Sequence, residues 1–312
     1  SRYPSRPIQL IPTFSLIWVR AVQLYDQHVA DEELVRSCLP GMKQVVDWFL
    51  QRCNAQGLFA SSQWWQFVDW VPTWPMGNPA KTEAGSASPS AVINLQLIDA
   101  LEALLTAGQI RSSRDGSTLL RPDELTHYHH VTDKLISRLR AGYWSPSRGL
   151  YADDLNQTQF SEHANVLAIL TGTATPQQAS IIGSRLAEPD ADVARCTLYF
   201  QFYRAMALTR LGQASAVWQG LDDWKRVLDA GLTTLPEYLD RPGQSSRSDC
   251  HAWSAWPMHW FLSGVLGVTP LQRGYQVIGL RPQLGPLTHA QGQVCTPQGP
   301  IKVHLRYHAG LW

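Results

Sequence analysis

Through most of the first 266 residues, apolar side chains recur at three- and four-residue steps; after that they alternate with polar ones in short runs. The first period predicts helices with one buried face, and the second predicts strands. After Pro12, the residues Phe14, Ile17, Trp18, Ala21, Val22 and Tyr25 form the expected inner face of an opening helix. Asp31 is placed to cap the next helical region, in which Val45, Val46, Trp48, Phe49 and Cys53 are expected to turn inward before Gly57. Further helices are expected over 89–105, 123–139, 161–172, 176–186, 193–211 and 215–228, and again after His251, where Pro257 starts or kinks the last one. From 267 onward, short runs separated by Gly and Pro predict an antiparallel segment. Ile301, Val303 and Leu305 against Lys302, His304 and Arg306 make its clearest strand.

Three stretches interrupt the helices. Residues 61–90 carry four Trp with Pro and Gly and no helical period, which predicts a long ordered loop. Residues 143–154 read as an aromatic turn. The third, GLTTLPEYLDRPGQSSRSDCHAWSAW over 231–256, sets Glu237 beside Tyr238 and ends at His251 and Trp253. A carboxylate that activates water, an imidazole that holds a hydroxyl and an indole face that stacks on a pyranose ring suit sugar chemistry. The plainer alternative is a polar connection with a solvated glutamate. Paired helices whose functional loops gather at one end predict a mainly α architecture, an (α/α)6-toroid-like helical barrel over 1–266. A short antiparallel β segment is expected over 267–312.

The bulk composition narrows the partners. With 26 Lys and Arg against 25 Asp and Glu, the net charge of +1 suggests no polyanion, so nucleic acid is not an expected partner. No apolar run reaches the roughly twenty residues of a membrane span, so no membrane partner is expected either. Thirteen Trp is an excess that a fold places in its core or in a sugar-stacking site. The five cysteines are odd in number, lack a Cys-x-x-Cys pair and are expected as buried thiols of a reducing compartment, the cytoplasm, with the periplasm left open. His127, His129 and His130 do not converge around a helix, so no metal is expected there, and no cofactor is called for.

Six pieces in order carry a resemblance: Asp31 to Leu50 with LPGMKQVVDWFL, the Phe67–Trp70 sequence FVDW, RGLYADD followed by FSEHANVLAILTG, TTLPEYLD, SDCHAW, and GVLGVTP with LRPQLG. Together they resemble the catalytic α/α toroid of bacterial α-L-rhamnosidases and the first strands of the β-sandwich that follows it. The resemblance implies an inverting glycosidase that releases terminal α-linked L-rhamnose from a carbohydrate substrate. It implies Glu237 as the general base, His251 as a sugar contact, and Asp69 with Trp70 in a loop that walls the sugar pocket. Trp253, Trp64 and Trp65 are candidate stacking partners, with buried bracing aromatics as the alternative.

The sequence departs from the family in one respect. The Asp-Cys-Pro-x-Arg-x-x-Arg stretch that carries the family's general acid does not occur in it. Either the sequence is a segment of a longer enzyme, which is the preferred expectation, or another acid serves. Asp69, flanked by Val68 and Trp70, is the internal candidate, since an apolar setting raises a carboxyl pKa. Two other readings stay open: a different toroid glycosidase acting on glucosides or uronides, and a sugar-binding or scaffold protein without catalysis.

Overall fold

The computed structural model describes residues 9–79, 88–187, 192–239 and 248–306. The Pro-Gly-Ser-Arg part of the 231–256 stretch and the Lys81–Gly85 part of the Trp-rich loop lie outside the described residues. The chain forms two compact units, Ser1–Asp26 with Asp31–Arg195, and Gln27–Ala30 with Cys196–Trp312.

In the first unit the chain runs α1 (Thr13–Val29, whose last turn falls in the second unit), α2 (Glu32–Leu50), α3 (Ala91–Gly108), α4 (Pro122–Tyr143), a hairpin of β1 (Trp144–Ser145) and β2 (Leu150–Tyr151), then α5 (Glu162–Leu170) and α6 (Pro176–Ala187). Asp31 caps α2 by accepting from Leu34 N at 2.9 Å, and that helix runs unbroken through Pro40. The inner face of α1 is rotated from the expected one. Leu16, Val19, Val22, Gln23 and Asp26 are buried, whereas Trp18 and Tyr25 are exposed. Large aromatics at the edge of the stripe pull an apolar count toward themselves, which is why the periodicity misplaces the face.

Helix α3 is buried on nearly every side and packs against α2, α4 and α5. Its 18 residues have a mean hydropathy of 1.4 and meet the length and composition of a membrane span, contrary to the expectation that no run does. Neighbouring helices cover its faces, which is why it needs no polar side.

A repeated clasp ties the inner helices to the chain that precedes them. Ser90 caps α3, and Asn94, four residues on, accepts from Phe59 N at 2.9 Å and donates to Phe59 O at 2.9 Å and Ser90 O at 2.8 Å. Ser161 caps α5, and Asn165 accepts from Tyr151 N at 2.8 Å and donates to Tyr151 O at 3.0 Å and Ser161 O at 2.8 Å. In each case one buried amide satisfies both backbone groups of an aromatic residue, an arrangement that fixes loop against helix.

The second unit holds α7 (Gln201–Arg210), α8 (Ala214–Gly220), α9 (Asp222–Asp229) and α10 (Trp256–Trp260), which continues into a wider π-turn, Phe261–Val265. Antiparallel hairpins pair β3 (Val268–Pro270) with β4 (Ile278–Leu280), and β5 (His289–Thr296) with β6 (Gly299–Arg306). Leu266, Val268, Tyr275, Val294 and Val303 form their core. Along β6, Val303 is buried and Ile301 and Leu305 are partly buried, while Lys302, His304 and Arg306 are exposed, as the alternation predicts.

Two helix expectations are corrected. The region expected as one helix over 193–211 is helical only from Gln201, because Ala194 is drawn into a parallel bridge with Ser161, donating to Phe160 O and accepting from Glu162 N, both at 2.8 Å. The region expected as one helix over 215–228 is split into α8 and α9 at Leu221. The thiols differ too: Cys196 is buried, Cys38 and Cys53 are partly so, and Cys250 and Cys295 are exposed. Burial pushes the Cys53 thiol up to about 11.

Candidate active site

In the first unit the FVDW segment folds back on the chain that follows it. Val68 N donates to Gly77 O at 2.9 Å, and Val71 N to Asp69 O at 2.8 Å. Gly77 (φ 70°) cannot be replaced cheaply, since a Cβ there would lie 2.5 Å from the Phe67 ring and 2.8 Å from Asp69 O. The reversal seals Asp69 at 0% exposure. One carboxylate oxygen accepts from Trp70 N at 2.9 Å, and the other meets His163 Nε2 at 2.7 Å. His163, in the first turn of α5, is also fully buried, and its ring lies 4.5 Å from that of Trp74. The setting around Asp69 is therefore not simply apolar, because both of its oxygens hold hydrogen-bond partners.

The aromatic residues around this pair brace one another. Trp65 donates its indole N–H to Met76 O at 2.9 Å and lies against Phe67 and Trp70, with ring centroids 5.3 and 6.1 Å away. Trp64 is 38% exposed.

Sequence reasoning did not single out His163 or Asp153. Asp153 is fully buried, and burial, aided by the neighbouring Asp154, pushes its carboxyl up to about 8 against the lowering effect of the Ser161 hydroxyl. That hydroxyl donates to it at 2.6 Å. The available signal for His163 was a polar side chain in the otherwise apolar helix α5.

In the second unit two short segments run alongside each other. Glu237 N donates to Ser248 O at 2.7 Å, and His251 N to Leu235 O at 2.6 Å. This pairing holds Glu237 and His251 although 14 positions separate them in the sequence. Ser254 Oγ donates to Pro236 O at 2.7 Å, and Trp253 Nε1 to Glu237 O at 2.9 Å. Glu237 is 7% exposed. The His251 ring lies 4.7 Å from the Trp253 ring, and its buried Nδ1 has no hydrogen-bond partner among the described residues. Trp253 stacks on Tyr199 at 4.9 Å and 21°, so one of its faces is already covered. Among the described residues no group of three His, Cys, Asp or Glu is placed to hold a metal ion.

The sequence profile of the bacterial alpha-L-rhamnosidase 6 hairpin glycosidase domain matches residues 3–265. The chain belongs to this family. Its rhamnosidase-like glycoside hydrolase fold is the mainly α toroid of helical hairpins. Superposition on the family-78 rhamnosidase of Bacillus sp. GL1 gives a TM-score of 0.82 at 23% identity, covering 98% of this chain and 32% of that one. The rhamnosidase from Klebsiella oxytoca with rhamnose bound gives 0.66 at 24% identity, over 84% of this chain and 49% of that one. The Streptomyces avermitilis enzyme complexed with L-rhamnose gives 0.68 at 14% identity, over 95% of this chain and 27% of that one. The chain thus spans between about a quarter and a half of the length of these three chains. A comparison with curated proteins finds no match.

Proposed function

We propose that the chain carries the water-activating half of an inverting α-L-rhamnosidase, hydrolysing terminal α-L-rhamnosides with Glu237 as general base. The observation that carries the reading is the local architecture around Glu237. A nearly buried carboxylate is held by backbone pairing on the same short ladder as His251, whose buried Nδ1 has no hydrogen-bond partner among the described residues. Trp253, bonded to the Glu237 carbonyl, fixes that backbone. The solved relatives that carry rhamnose supply the substrate class. In this reading catalysis belongs to residues 1–266, with Trp70, Trp65 and Trp64 on the sugar-facing side of the FVDW loop.

Asp69 is the internal candidate for the acid. Its full burial and two engaged oxygens suit bracing of its loop better than proton donation. That favours a second reading, sugar binding without turnover. The deciding experiment is hydrolysis of an aryl α-L-rhamnoside, whose good leaving group needs little protonation, by wild type and Glu237→Gln. Loss of a general base is expected to cost about a hundredfold to ten-thousandfold in rate. Equal rates in the two proteins would overturn the assignment of Glu237, and saturable rhamnose binding with no turnover in a folded wild type would favour the second reading.

A further inference from the structure

Glu237 lies between two peptide groups that are both held from outside. The group before it joins Pro236 to Glu237 and is bonded at each end: Ser254 Oγ donates to Pro236 O at 2.7 Å, and Glu237 N donates to Ser248 O at 2.7 Å. The group after it is held by Trp253 Nε1, which donates to Glu237 O at 2.9 Å. With His251 N on Leu235 O, the turn over 251–254 holds the three consecutive carbonyls of Leu235, Pro236 and Glu237. The proline ring fixes its own φ, so the ψ of Pro236 is the rotation left to aim the peptide plane that enters Glu237, and the Ser254 bond restrains it. It is a side-chain bond, so a substitution removes it without touching the backbone pairing. Ser254 is fully buried and is anchored in turn: Trp224 on α9 donates its indole N–H to Ser254 O at 2.9 Å, and Ser254 N donates to His251 O at 3.3 Å. The Trp224 ring meets that of Trp256 on α10 edge-on, with centroids 5.0 Å apart. Within the second unit, a chain of contacts thus runs from α9 through Ser254 to the peptide plane of Glu237.

We propose that Ser254 is a positioning residue for water activation by Glu237, with Trp224 acting through it. The proposal rests on the reading of Glu237 as the base and adds what aims its carboxylate. Neither Ser254 nor Trp224 takes part in proton transfer; together they narrow the arc through which the Glu237 side chain swings with its backbone. A catalytic group misplaced by about 1 Å loses on the order of a hundredfold in rate, so a loosened plane that moves the carboxylate by a fraction of that distance lowers kcat by about tenfold.

The test is steady-state hydrolysis of an aryl α-L-rhamnoside by the full chain and by Glu237→Gln, Ser254→Ala, Trp224→Phe and the Ser254→Ala/Trp224→Phe double variant, each at a temperature where far-UV circular dichroism shows it folded. Ser254→Ala should lower kcat by about tenfold with KM within about twofold of wild type. Trp224→Phe keeps a ring against Trp256 and deletes the N–H, so its kcat should fall severalfold, again at near-constant KM. In the double variant Trp224 has no hydroxyl left to act through, so kcat should match that of Ser254→Ala. Should Ser254→Ala not fold, Trp224→Phe decides on the same split. A rise in KM alone, an unchanged kcat, or losses that multiply in the double variant would overturn the proposal. If Glu237→Gln loses turnover while Ser254→Ala keeps it, the positioning role falls and Glu237 stands as the base. If Glu237→Gln and wild type turn over equally, or neither turns over, the assignment of Glu237 falls and the positioning role falls with it.

Discussion

Asp69 with His163 and Glu237 with His251 use the same residue types, a carboxylate, an imidazole and a nearby tryptophan, and differ in what holds them. In the first, the carboxylate and the imidazole bond to each other at 2.7 Å, both at 0% exposure. In the second, backbone pairing holds the two residues, Glu237 N donating to Ser248 O and His251 N to Leu235 O. The first pair is tied side chain to side chain, and the second is set in place by its backbone. Under the proposed function, that difference sets a bracing pair apart from a working one more sharply than residue type does.

Removing each imidazole in turn is the largest break of that comparison. His163→Ala leaves the Asp69 carboxylate sealed without its partner and is expected to cost about 3–5 kcal/mol of stability, the usual penalty for stranding one member of a buried pair. His251→Ala should cost under about 1 kcal/mol, since the Nδ1 of this half-buried ring has no hydrogen-bond partner among the described residues, and should raise KM for the rhamnoside instead. Denaturant unfolding of the two variants beside wild type measures both. Similar stability losses would erase the distinction between the sites.

A second effect, spread over the pH scale, sharpens the bracing side. The folded-state pKa of Asp153, about 8, lies above the ordinary carboxylate value. The folded chain therefore keeps a proton that the unfolded chain releases. Its contribution is full below about pH 4, the unfolded value, and is lost as pH rises through the folded pKa, at up to about 1.4 kcal/mol per pH unit. Asp153→Asn keeps the acceptor for Ser161 and cannot ionise, so its stability should fall less than that of wild type between pH 5 and pH 8. Parallel pH profiles of thermal unfolding would show that the carboxyl does not stay protonated.

How much of this was legible in the sequence follows from how far apart the partners lie. Glu237 and His251 share one motif-bearing stretch, and Asp31 and Ser161 cap helices within three residues, so local reading reached them. Asp69 and His163 are 94 positions apart, and no local pattern joins them. The Asn94 and Asn165 clasps could have been read as Ser-x-x-x-Asn at the start of two apolar helices, because Asn four residues past a cap recurs in both. The inner face of α1 and the break at Leu221 were not legible, since packing against other elements overrode a weak period. The helix expected from 193 failed for a tertiary reason: Ala194 exchanges its backbone bonds with α5's leading residues.

The smallest effect tests whether the ladder around Glu237 is a positioning device. Trp253→Phe preserves a ring to stack on Tyr199 and deletes the N–H that donates to Glu237 O. One neutral hydrogen bond is worth about 1 kcal/mol, so stability should shift by no more than that. If the bond also fixes where the carboxylate sits, kcat on the aryl rhamnoside should fall severalfold while KM stays nearly constant. That split identifies an effect on the reacting geometry, because loss of a stacking surface would raise KM at constant kcat. A rise in KM alone would make Trp253 a sugar-stacking residue despite its covered face, and the bracing role derived from its hydrogen bond would then be wrong.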